Sequence, residues 1–134
     1  METLKITAKK SITGVVTDRI KTFADACDEL EIQNSELTAS GEIENDFRSV
    51  SAYQKLIIIA RALNEGWTPN WKDDSEWKYY PWFDMSSGSG LSCFVCDYLN
   101  STSSVGSRLC FKSRQLAEYA GKQFIDLYKD FFII

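Results

Sequence analysis

The sequence predicts an α+β domain, a small three-stranded antiparallel β-meander packed with three helices. Three observations lead there. Apolar residues recur at three- and four-residue steps in three stretches, about 17–31, 50–65 and 113–131, which is the period of a helix with one buried face. Between the second and third stretches, short apolar runs are separated by Gly-, Ser- and Asn-rich loops, as in antiparallel strands joined by tight connections. The length of 134 residues suits one domain with a single core. Residues 1–48 form its acidic helical N-terminal part, and residues 49–134 carry the rest.

The elements follow in order. Leu4 and Ile6 alternate with polar residues, so Thr3–Thr7 is expected to form a short strand, and Gly14 a turn. Thr17-Asp18 opens the first helix, with a hydroxyl to cap and a carboxylate in the first turn. Ile20, Phe23, Ala24, Cys27 and Leu30 form its inner stripe. The acidic stretch 33–46 reads as a connection touching the core through Leu37, Ile43 and Phe47. In the second helix, Tyr53, Leu56, Ile57, Ala60 and Leu63 form a stripe that Ile58 and Ile59 widen, so cover on more than one side is expected. Gly66 supplies a left-handed stop, and Pro69 prevents continuation.

All four tryptophans then fall within Trp67–Phe83, together with Tyr79, Tyr80 and Phe83. Trp77–Phe83 reads as a strand with rings on both faces, with Pro81 placing it at an edge or bulge. Leu91–Tyr98 and Val105–Phe111 complete the meander, across the loops 86–90 and 100–104. Ser113 caps the last helix, whose inner face runs through Leu116, Tyr119, Ala120, Phe124, Leu127, Tyr128 and Phe131. The apolar end Phe131–Ile134 is expected to dock on the body.

Composition bounds the chemistry. The chain has no histidine. The commonest general base and metal ligand is therefore missing, and so is any Ser-His or Cys-His nucleophile pair within one chain. Cys27, Cys93, Cys96 and Cys110 read as packing thiols. Cys93 and Cys96 have redox or zinc spacing, but they lie on an expected strand and lack a second pair. No catalytic residue, metal or cofactor is assigned. No apolar run approaches a membrane span, and the N-terminal stretch lacks a signal-type apolar core, so a cytoplasmic protein is expected. The net charge is −4, with six Lys/Arg against ten Asp/Glu in the first fifty residues. That balance disfavours nucleic acid as a partner at long range.

The segments SAYQKLIIIARALNEGWTPNW, EWKYYPWF and VGSRLCFKSRQLAEYAGKQFIDLYKDF resemble a family of uncharacterised proteins of phages and prophages in gut bacteria. The likeness lies chiefly in residues 51–131, with Ala24 and Cys27 upstream. The resemblance implies a small intracellular accessory protein. It brings no activity and no catalytic residue.

The function expected is that of a non-enzymatic binding or interaction domain with an aromatic surface, its partner an unknown protein or small ligand. Its candidate binding residues are Trp67, Trp71, Trp77, Tyr79, Tyr80, Trp82 and Arg108, since bunched rings must be core or contact surface. One alternative is single-stranded nucleic-acid binding. Stacking rings would work with Lys72, Lys78, Arg108, Lys112 and Arg114. Another is self-assembly into a homo-oligomer through the rings or the C-terminal tail. A sugar-hydrolysing pair drawn from Asp73, Asp74, Glu76, Asp84 and Asp97 is the enzymatic alternative.

Overall fold

The computed structural model describes residues 14–33, 44–86, 92–99 and 101–133, with 44–45 and 92–99 described by backbone alone. The expected strand Thr3–Thr7, the connection through Leu37 and Ile43, and the Ser87–Gly90 loop lie outside the described residues. Among those described, the order is α1 (Val16–Arg19), α2 (Phe23–Leu30), α3 (Glu44–Leu63), β1 (Lys78–Asp84), β2 (Ser92–Leu99), α4 (Arg114–Gln123) and α5 (Ile125–Phe132).

This corrects the expectation of three helices and a three-stranded meander. The sheet has two antiparallel strands, β1 and β2. The segment 105–111 is not a strand. It turns through Gly106, at positive φ, and joins β1 only at the Tyr79–Phe111 bridge. There the two residues exchange both backbone bonds, Tyr79 N to Phe111 O at 3.0 Å and Phe111 N to Tyr79 O at 2.7 Å.

The ladder stops after one residue. Strand hydrogen bonds alternate sides, so Pro81 faces the same edge as Tyr79 and has no N–H to donate. The groups of 110 and 112 point to the opposite edge of the segment, away from β1, and are taken there by a side chain. Asn64 Nδ2 donates to Cys110 O at 2.9 Å, and Asn64 Oδ1 accepts from Lys112 N at 3.1 Å. A buried amide at the end of α3 thus occupies the place of a neighbouring strand. Within the hairpin, the register shifts between Trp82, opposite Val95, and Phe83, opposite Cys93. The extra residue on β2 makes a bulge.

The first expected helix is two. Thr22 starts α2 with a capping box, accepting from Asp25 N while Asp25 accepts from the Thr22 backbone. Ile20 is fully buried in the break. The carbonyls exposed there are taken by α4, as Tyr119 Oη donates to Ile20 O at 2.5 Å and Gln123 Nε2 to Lys21 O at 2.8 Å. The restart also shifts the stripe, burying Ala26 with Cys27 and leaving Ala24 exposed. The last expected helix also divides, at Phe124, whose backbone leaves helical geometry.

The second helix begins at Glu44, before the expected start, and ends at Leu63. It packs against α2, α4 and α5, so Leu56, Ile58, Ile59, Ala60, Ala62 and Leu63 are all buried. This explains its broad apolar face. Phe47 lies on its first turns and is 45% exposed, not in the core. Glu65 and Gly66, at φ 49° and 87°, turn the chain out of α3.

Candidate functional site

The chain leaving α3 folds around a buried lysine. Lys78 is the first residue of β1 and fully shielded. Its ammonium donates to the Asp73 and Glu76 carbonyls at 3.0 and 2.8 Å and lies 3.5 Å from Glu76 Oε1. It also stands 5.3 Å from the centre of the Trp71 ring. A cation expected to meet phosphate is therefore the internal post of the 70–77 loop. Asn70 N donates to Glu76 Oε1 at 2.7 Å, closing that loop on itself.

Trp71 fastens the loop to the next segment, its Nε1 donating to Ser107 Oγ at 2.6 Å. Ser103 Oγ accepts from Val105 N and Gly106 N, shaping the turn before it. Ser107, held by Trp71, lies on the lining of an open hollow of about 320 Å³. One wall is a face of α3, where Ile57, Arg61 and Asn64 follow each other at helical spacing. The others are Trp67 with Pro69, and Ser107 with Arg108.

The predicted site residues separate. Trp67 and Arg108 meet in the hollow, with Trp71 holding its frame. Trp77, 46% exposed, stands edge-on to Tyr79 at 6.4 Å, and Arg114 lies over the Tyr79 ring at 5.6 Å. Tyr80 is buried and tilted against Trp82, which is 48% exposed. These four rings do not line the hollow. Arg61 was missed, because in sequence it reads as one outer-face charge within an apolar helix. The polar Asn64, directly after the run LIIIARAL, was the available signal.

No family model matches this chain. No curated protein and no solved structure matches it either. The resemblance noted from the sequence gains no support from these comparisons, and the chemistry must be read from the side chains.

The turn carboxylates are occupied locally. Ser75 donates to Asp73 through both its hydroxyl and its backbone, and Ser86 does the same to Asp84. These bonds, the hydroxyl one first, hold both carboxyls below their ordinary range, the opposite direction to that of a proton donor. Asp74 accepts from Ser101. Among the described residues, no cluster of three or more Cys, Asp or Glu could hold a metal ion.

The hollow has a different character. Among the described residues, its lining includes two guanidinium groups and no carboxylate. The nearest acid along the chain, Glu65, is engaged by Arg19 at 3.2 Å and Lys112 at 3.6 Å. Arg61 and Arg108 make no ion pair or hydrogen bond among the described residues. A second open hollow, about 300 Å³, lies between α3 and α5 and is lined in part by Phe47, Lys55, Leu127 and Asp130.

Proposed function

We propose that this chain is a non-catalytic binding domain whose site is the Trp67–Arg61–Arg108 hollow, and that the site takes a small anion. The supporting observation is the pair of uncommitted arginines on one concave surface of a net-acidic protein. Two guanidinium forks that are not ion-paired among the described residues make a local positive potential, and guanidinium binds phosphate or carboxylate oxygens in pairs. A small accessory protein of phage or prophage type is compatible with such a role.

Ligand that binds only the folded state raises the melting temperature by mass action. Inorganic phosphate at constant ionic strength is expected to raise that of the full chain. The double variant Arg61→Ala, Arg108→Ala should lose the rise. An equal rise in both proteins would come from general exclusion of the salt, and the proposal would fail.

Self-association is a second reading. It draws on Phe47, Phe132 and Ile133, which stay 45%, 40% and 41% exposed on α3 and at the end of α5. Sedimentation across a hundredfold concentration range tests it, and a constant monomer mass ends it.

A further inference from the structure

We infer that the anion bound in the hollow is the phosphate of a nucleotide unit, its base stacked on Trp67. This rests on the anion-site reading above and adds a ring to it.

The four indoles differ in what holds them. Trp71 is fixed by Ser107 and Lys78, Trp77 stands against Tyr79, and Trp82 against Tyr80. Trp67 has no hydrogen bond or ring partner for its side chain among the described residues, and it is only half-buried. It therefore has ring surface to offer on the wall shared with the arginines. An indole is a strong platform for a nucleobase, sequence-tolerant because every base has a π-face. Ile57 and Pro69 add apolar wall beside it.

The polar groups suit the rest of a nucleotide. Arg61 comes from α3 and Arg108 from the segment beyond Gly106, so the guanidinium groups reach the hollow from separate elements. The Ser107 oxygen accepts from Trp71, which leaves its own hydrogen free to donate to a phosphate or sugar oxygen. A volume near 320 Å³ lies at the small end of ligand sites. It fits one base-sugar-phosphate unit better than an extended peptide. The unit can be free or part of a single strand, since both offer the same chemistry.

Calorimetric titration of the full chain at low salt tests this with inorganic phosphate, adenosine, AMP and a five-residue thymidylate oligonucleotide. AMP is expected to bind at least tenfold more tightly than phosphate or adenosine. Arg108→Ala and Arg61→Ala should each weaken AMP about tenfold. Trp67→Ala should reduce AMP to the level of phosphate, and Trp67→Phe should keep most of the affinity. Trp82→Ala should change nothing. An oligonucleotide at least tenfold tighter than AMP identifies a strand as the source, and equal affinities identify the free nucleotide. If AMP binds no better than phosphate, or Trp67→Phe and Trp67→Ala both bind as the parent does, the base-stacking inference is overturned while the anion site stands. If no probe binds, both readings fall.

Discussion

Cys110, within the 105–111 segment, has no exposed surface, and burial pushes its thiol up to about 11. Burial raises Cys27 as well, with Asp28 adding to the effect. At pH 8 the reactive thiolate of Cys110 should be rarer than for a free cysteine by roughly two orders of magnitude. Brief iodoacetamide treatment should leave the Cys27 and Cys110 peptides unmodified by mass spectrometry until urea unfolds the chain. Native labelling at the rate of a free thiol would refute this. Asp25 shifts the other way. It accepts from Lys21 N and Thr22 N at 3.0 Å each, and the Lys21 bond is the largest cause holding its carboxyl below the ordinary range. A lowered folded value means that its stabilisation is full above the ordinary carboxylate range and is lost as pH falls through that lowered value. The start of α2 should therefore loosen below about pH 4, seen by amide exchange, and Asp25→Asn should remove that acid dependence. Thr22→Ala, which deletes the other half of the cap, should cost about 1 kcal/mol in urea unfolding.

Asn64 joins α3 to the chain beyond the hairpin through one buried and one partly buried bond at about 1 kcal/mol each, so Asn64→Ala should cost about 2 kcal/mol. Asn64→Asp keeps the acceptor for Lys112 N but turns an oxygen toward the Cys110 carbonyl. It should destabilise at least as much. Denaturation midpoints unchanged in both variants would mean that the Tyr79–Phe111 pair holds the segment unaided. This contact also marks where sequence reasoning ended. Helical stripes such as Leu116, Ala120, Phe124 and Tyr128 were legible because one buried face imposes its period on the residues. The third strand was misread because the partner of 110 and 112 is a side chain far upstream, and no local pattern announces it. The break at Ile20–Thr22 was hidden similarly, since the groups that satisfy it, Tyr119 and Gln123, sit on α4. Trp67 and Arg108 were singled out from residue type alone. Arg61 was not, because only the packing of α3 beside them brings it there.

At the scale of the molecule, the end of α5 closes on the first half of α3. Phe131 stacks on Tyr53 with centroids 5.3 Å apart, and its carbonyl accepts from Ser49 Oγ at 2.9 Å. Phe131→Ala removes a half-buried ring and a stacked pair, so it should cost about 2 kcal/mol and lower Tm by roughly 8 °C. A calorimetric Tm within a degree of the parent would show that α5 closes on α3 without it. The packing around β1 bears also on how crowded copies behave. An open flank of a hairpin is a template on which a second polypeptide can lay its own backbone. Here the flank beyond Phe111 is stoppered by the Asn64 amide, and the proline on β1 gives an incoming chain no hydrogen to grasp. Growth of a cross-β stack from that side is blocked at its first rung.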